Sequence, residues 1–406
     1  MPILLQINVD INSGSVGRIA EQIGEIAISA GWESYIAYAR DYQPSKSKEI
    51  KIGNSLNIYY HVAQTRLFDN HCLASTRATR KFIRKIEEIK PDIIQIHQLH
   101  GYFINIKVLF EYLSKVNIPI VWTLHDCWAM TGHCAYFSDI NCNKWKIECH
   151  HCPKKGNYPA SLLLDRSQKN FHLKKKIFTL LHNMTIVTVS DWLKNLAGES
   201  FLSKYNIFSI KNGVDLNKFI PSEDNAFISQ KYNVTGKFVI IGVGTTWQAA
   251  KGLYDFYKLR ERLSDDYVIM LVGLLPGLIN DLPKGIIGIP RTESIKELAQ
   301  LYSIADVVAS LSYQEAFGLT PVEGFACGTP AIVYNATATP ELITSDVGYV
   351  VEPGNIDQLV DAIKKIQQKS KSFYAQNCRK HAELLYDKNK LFNQYFQLYN
   401  NLLPIN

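Results

Sequence analysis

The sequence predicts an α/β protein built from two doubly wound parallel sheets, each covered by helices, with a cleft between them. Three observations carry this expectation. The chain has 406 residues, more than the roughly 250–300 that one hydrophobic core supports. Short apolar strands, turns and amphipathic helices alternate along the first half, and the same alternation restarts near residue 237. The strands of the second half are almost continuously apolar, as expected of strands buried on both faces.

Taken in order, residues 4–9 read as a first strand. They lead through residues 12–17 into a helix whose apolar positions Ile19, Ile23, Ile26 and Ala27 recur at helical spacing. Further strands are expected at 34–39, 91–97, 118–125 and 185–190, the last running into a helix from Asp191. The second set comprises 237–244, 267–273, 285–289, 305–310 and 329–334. The Asn-Gly turn within Asn212-Gly213-Val214-Asp215 marks the boundary. The domains are therefore 1–208 and 209–387. Apolar residues Leu391, Phe392, Tyr395, Phe396, Leu398, Tyr399 and Leu402 make 388–406 an amphipathic helix that packs back on the first domain.

Composition narrows the class. Hydrophobic residues make up 47% and charged residues 20%, as in ordinary globular proteins. No apolar run approaches the ~20 residues that span a bilayer. The first residues lack the basic start of a signal peptide, so the expected compartment is the cytoplasm, at the inner face of the membrane. The net charge is +7, and nine Lys or Arg against Glu148 and Asp165 fall between Lys144 and Lys176. That stretch reads either as a solvated basic face or as a peripheral contact with anionic lipid. It lacks the dense basic runs and stacking aromatics of a nucleic-acid groove, so nucleic acid is not an expected partner.

Two α/β domains bind ligands at the carboxyl ends of their strands. Glu315-Ala316-Phe317-Gly318-Leu319 follows such a strand and opens a helix, whose free N–H groups suit a phosphate. Glu323, two turns on, suits ribose hydroxyls. His125 and Asp126 stand at another strand end. Asp126 there is either a general base for an acceptor hydroxyl or a helix cap.

The spacing Glu315…Glu323, with Phe317-Gly318 between and Gly328-Thr329-Pro330 after, resembles the paired-glutamate signature of retaining glycosyltransferase family four, a group with the GT-B fold. The resemblance runs through nearly the whole chain. Gly14-Ser15-Val16-Gly17 resembles the family's glycine loop at the donor diphosphate, His125 its active-site histidine, and Asn212-Gly213-Val214-Asp215 its interdomain motif. Lys251-Gly252 resembles its phosphate lysine and Pro340-Glu341 its late element. The run 123–153 is similar to a branch acting in bacterial surface-polysaccharide assembly, including colanic-acid-type enzymes. Thr246 stands where the family usually has an arginine, so that diphosphate contact is either missing or supplied elsewhere, by Arg291 or Arg18.

The resemblance implies a nucleotide-sugar donor, no catalytic cofactor, and a glycan or polyprenyl-diphosphate-linked acceptor. It also implies transfer with retention. The expected catalytic residues are His125, Glu315 and Lys251. The expected donor-binding residues are Gly14, Ser15, Gly17, Asn212, Thr246, Lys251, Arg291, Phe317, Gly318, Leu319 and Glu323. No Asp-x-Asp pair occurs, which favours metal-independent chemistry, with charge on the leaving phosphate met by fixed donors. Two other readings are a nucleotide-sugar epimerase of the same architecture and a non-catalytic sugar-nucleotide-binding homologue.

Five of eight cysteines lie between Cys127 and Cys152. Cys134, Cys142, Cys149 and Cys152, in an insert over 126–160 with His133, His150 and His151 beside them, read first as a structural zinc site. Disulfides or reduced structural thiols are the alternatives. Cys127, Cys327 and Cys378 read as packing residues.

Overall fold

The structure, a computed structural model, describes residues 1–222, 225–245 and 247–403. Its contacts divide the chain into two compact units. One holds Met1–Lys211 with Phe392–Asn406, the other Asn212–Leu391.

The first unit contains a seven-stranded sheet. Its strands are β1 (Ile3–Ile7), β2 (Glu33–Tyr38), β3 (Lys48–Lys51), β4 (Ile93–Ile96), β5 (Ile120–Leu124), β6 (Met184–Thr188) and β7 (Asn206–Ser209). They pair in the order β3-β2-β1-β4-β5-β6-β7, every pairing parallel. The second unit holds β8 (Phe238–Val243), β9 (Tyr267–Val272), β10 (Ile286–Ile289), β11 (Val307–Ser310), β12 (Ala331–Tyr334) and β13 (Gly348–Val351). Their order is β10-β9-β8-β11-β12-β13, again all parallel. Each order reverses direction once, between β1 and β4 and between β8 and β11. Ligands of open α/β sheets bind at that switch point.

The central strands form because helices cover both their faces. β4, β5, β6, β11 and β12 are buried at every position. β3, β7 and β13 are additional to the strands that apolar patterning indicates, and all three lie at sheet edges.

The buried strands also carry polar side chains, and these are satisfied. Gln95 donates to Thr123 Oγ1 at 2.6 Å and accepts from the Tyr399 hydroxyl at 3.0 Å, while Thr123 and the Tyr395 hydroxyl lie 3.3 Å apart. Tyr395 and Tyr399 belong to the C-terminal helix Lys388–Leu402, which thus closes the first sheet from the far end of the chain. Phe396 of the same helix meets Trp32 edge-on at 5.2 Å.

Candidate active site

In the second unit the site begins where β8 ends. A single 3₁₀ turn, Ala249–Lys251, is stopped by Gly252, whose φ is +73°. A Cβ at Gly252 would stand 2.3 Å from the Leu311 carbonyl oxygen. Only glycine allows this turn to lie against the end of β11. Tyr313 N–H donates to the Ala250 carbonyl at 2.9 Å and fastens the two loops. The outcome is an ion pair between Lys251 Nζ and Glu315 Oε1 that spans the switch point. Both side chains are part-exposed.

The helix Leu319–Ala326 starts four residues beyond Glu315. Gly318 is its N-cap, and no side chain caps it. The first-turn N–H groups are therefore left for a ligand. Phe317 is buried and meets Tyr386 edge-on at 5.9 Å, so it can offer a ligand its main chain alone. Glu323 is half-buried and accepts from the Tyr302 hydroxyl at 2.8 Å. Arg291 follows β10 and is exposed. Thr246 lies outside the described residues.

Asn212 is buried at the start of this unit. A Cβ on the neighbouring Gly213 would stand 2.3 Å from the Lys388 Cα. Val214 bridges to Asp387, and Asp215 accepts from Lys388 Nζ at 2.8 Å. These contacts give residues 213–215 a packing role within the unit. A depression of about 330 Å³, lined by Val234, Lys237 and Asp306, opens at the opposite, amino end of β8 and β11.

In the first unit, Gly14 and Ser15 are exposed and Gly17 is buried. They form the first turn of the helix Gly14–Ser29, which has no side-chain cap at Ser13. The expected loop is thus a bare helix N-terminus. Gly17 lets that turn close on the main chain of Asp10. Arg18 is exposed on the same helix.

His125 follows β5 and is part-exposed. Its Nε2 lies 3.1 Å from Nδ1 of His97, and His97 Nε2 lies 3.1 Å from Gln6 Oε1. Burial pushes His125 down to about 4, against a smaller upward pull from Asp126. Asp126 is buried with both oxygens engaged. Oδ1 accepts from the N–H of Trp128, the first residue of the turn Trp128–Met130, at 2.8 Å, and Oδ2 lies 2.7 Å from His100 Nε2. Burial raises its pKa, but His100 and that N–H outweigh burial and hold it below the usual carboxylate range. Asp126 is thus held by one main-chain N–H and by His100.

Sequence reading missed His97, His100 and Gln6. The signal available was the run His97-Gln98-Leu99-His100 directly after a strand.

The expected zinc site is corrected by the geometry. Cys134, Cys142, Cys149 and Cys152 do line one cavity, of about 20 Å³, together with His133, Phe137 and Trp145. Among the described residues, however, no group of three or more His, Cys, Asp or Glu is placed to hold a metal ion. Cys134 hydrogen-bonds to Cys152, which pulls Cys152 down to about 6 and pushes Cys134 up. His133 is held through Nδ1 by Asp69 at 2.7 Å, and its buried Nε2 has no hydrogen-bond partner among the described residues. All eight cysteines are free thiols.

The basic stretch is thinner than its composition suggests. Lys154 is buried on Asp139, with both contacts at 2.6 Å. Lys174 is buried over the Trp128 ring, 3.5 Å from its centroid. Lys169, Lys175 and Lys176 remain exposed on the helix Ser167–Phe178, just after the exposed Leu162, Leu163 and Leu164.

Residues 16–218 match the model of Glycosyltransferase Family 4. The chain belongs to Glycosyltransferase Family 4. Residues 223–384 match a second description, Glycosyl transferases group 1. WcaC of Escherichia coli strain K12, assigned to colanic acid biosynthesis as a glycosyl transferase, is 26% identical over 230 residues, 52% of this chain and 55% of that protein. The O-antigen chain mannosyltransferase RfbU of Salmonella typhimurium is 28% identical over 323 residues, 71% of this chain and 85% of that one. The UDP-Gal:alpha-D-GlcNAc-diphosphoundecaprenol alpha-1,3-galactosyltransferase of Escherichia coli is 26% identical over 199 residues, 45% and 50% of the two chains. This Family 4 chain thus spans about half the length of the first and third of these relatives.

Among solved structures, sucrose-phosphate synthase from Thermosynechococcus elongatus matches with a TM-score of 0.74 at 16% identity, covering 99% of both chains. Anabaena Alr3699/HepE in complex with UDP matches with a TM-score of 0.68 at 16% identity, covering 99% of this chain and 100% of that one. These likenesses establish the GT-B fold of this family member.

Proposed function

We propose that this Family 4 chain is a retaining, metal-independent glycosyltransferase. It moves a sugar from a nucleoside-diphosphate sugar to a hydroxyl of a glycan or polyprenyl-diphosphate-linked glycan during bacterial surface-polysaccharide assembly. The observation that carries the reading is the Lys251–Glu315 pair at the switch point, beside the uncapped helix at Gly318.

When the bond between the anomeric carbon and the diphosphate breaks, negative charge builds on the leaving phosphate. Groups already in place lower that barrier more than groups that must be recruited. The Lys251 ammonium and the first-turn N–H groups after Gly318 are such groups. A donor phosphate competes with Glu315 for Lys251 and frees the Glu315 carboxylate to meet the transferred sugar. Glu323, steadied by Tyr302, accepts from ribose hydroxyls. His125, neutral near pH 7, lies against the sugar and orients it. Gly14, Ser15 and Gly17 add helix N–H groups on the diphosphate side, and Arg291 adds a cation.

The acceptor reading is supported by two of the relatives, an O-antigen chain mannosyltransferase and a galactosyltransferase named for GlcNAc-diphosphoundecaprenol. Contact with an anionic membrane would come from Lys169, Lys175 and Lys176 with Leu162–Leu164, which are 65%, 64% and 48% exposed. No described helix is long and apolar enough to cross a membrane.

The first test is thermal denaturation against UDP-, GDP-, ADP- and dTDP-sugars, since a ligand of the native state raises apparent stability. One class should raise the midpoint, and Glu323→Ala should abolish that rise. Transfer to a lipid-linked acceptor should survive excess EDTA. Absence of any shift with all four classes would overturn the donor assignment. Equal binding to neutral and anionic vesicles would remove the membrane contact.

A further inference from the structure

Three polar side chains on adjacent strands of the first sheet form a continuous hydrogen-bonded line that ends at His125. Gln6 lies on β1, His97 directly after β4, and His125 directly after β5. The contacts are Gln6 Nε2 to the Ala20 carbonyl at 2.8 Å, Gln6 Oε1 to His97 Nε2 at 3.1 Å, and His97 Nδ1 to His125 Nε2 at 3.1 Å. The two imidazoles are nearly parallel, at 29°. The Trp122 indole N–H donates to the His97 carbonyl at 3.2 Å and holds that residue's main chain.

Proton positions along this line follow from its fixed end. A backbone carbonyl can only accept, so the Gln6 amide nitrogen must face Ala20 and the amide oxygen must face His97. That oxygen can also only accept, so His97 carries its proton on Nε2. His97 is 2% exposed, and its ring nitrogens meet a neutral amide and another imidazole. A charged ring there would be buried without a counter-ion, which is disfavoured. Burial accordingly pushes its pKa well below the ordinary range. A neutral His97 protonated on Nε2 presents a lone pair at Nδ1, so the proton shared with His125 belongs to His125 Nε2. Neutral His125 is then left with an unprotonated Nδ1.

We infer that Gln6 and His97 are positioning residues which hold His125 as its Nε2–H tautomer, so that Nδ1 is presented to the transferred sugar as a hydrogen-bond acceptor. The group of the sugar at that point must donate a hydrogen bond. A hydroxyl satisfies it, whereas a carboxylate or an ether oxygen would leave two acceptors facing each other. The inference rests on the proposed role of His125 toward the donor sugar. The tautomer itself is a property of the free protein, so its test is independent of that role.

The experiment is a long-range ¹H–¹⁵N correlation spectrum of the ¹⁵N-histidine-labelled full chain at pH 7, without ligand. His125 and His97 should both give the neutral Nε2–H pattern. Gln6→Met removes the acceptor that orients His97, and the His125 signals should then shift toward a mixture of the two tautomers. Should that variant fail to fold, His97→Phe keeps a ring in place without a lone pair and should release His125 in the same way. A wild-type His125 protonated on Nδ1, or a His125 pattern unchanged in both folded variants, would overturn the relay. If the tautomer is as expected while no nucleotide sugar binds, the relay stands and the proposed function falls. If a nucleotide sugar binds but His125 carries its proton on Nδ1, the function stands and the relay falls.

Discussion

Tyr302 illustrates how much of the proposed donor site depends on one buried hydroxyl. Its ring is fully buried, and its oxygen donates to Glu323 at 2.8 Å. A hydrogen bond to a charged group contributes about 1.5–3 kcal/mol. Tyr302→Phe is expected to lower unfolding free energy by that amount, read from urea denaturation, and to weaken the donor-induced rise in thermal midpoint. The histidines act at the same scale through pH. His61, His71, His97 and His125 all have depressed pKa values from burial, His61 to about 3 and His125 to about 4. In the unfolded chain each binds a proton near pH 6.5, while in the folded chain it stays neutral until lower pH. The unfolded state therefore binds more protons in this window, and stability rises with pH. The contribution is complete above about pH 6.5 and is lost as pH falls toward about 4. His133, raised by Asp69 against the effect of burial, works in the opposite direction but is one group against four. Thermal midpoints measured from pH 7 down to pH 4.5 should fall throughout.

At the scale of elements, the two loops of the proposed donor half-site are held by a turn that tolerates no side chain. Gly252→Ala places a Cβ against the Leu311 carbonyl and forces a positive φ on alanine. The expected cost is more than about 1 kcal/mol, and displacement of Lys251 should remove the donor-induced thermal shift even where the variant remains folded. Gly213→Ala meets the Lys388 backbone, and its expected effect is a lower thermal midpoint.

Edge and centre account for what was legible among the strands. The central strands are apolar on both faces and stand out in the sequence. β3, with the sequence Lys48-Glu49-Ile50-Lys51, is mostly exposed, and β7 and β13 also lie at edges. An edge strand is covered less and needs less apolar sequence, so periodicity does not announce it.

For the whole molecule, the notable feature is that the first unit is completed by the last residues of the chain. Tyr395, Phe396 and Tyr399 satisfy Thr123 and Gln95 and cover Trp32. Ending the chain after Leu391 would strand buried polar groups on β4 and β5 and expose aromatic surface. The expected result is loss of cooperative unfolding of residues 1–211, seen as a lost near-ultraviolet signal and aggregation on size exclusion. Retention of both properties would show that the helix is dispensable.

The sequence by itself determined the alternation of strands and helices, the place where that alternation restarts, and the order of the family motifs. These depend on neighbours in the chain, because burial on both faces and turn geometry write themselves into local patterns. Tertiary structure alone decided which polar groups meet. Lys251 reaches Glu315 across 64 residues, and Gln6 reaches His97 across 91. Among the described residues, the four clustered thiols, whose spacing is looser than in standard zinc ribbons, form no metal-holding arrangement. A parallel sheet places its strands side by side through long crossovers, so contacts at the strand ends depend on strand order and register, which no local pattern encodes.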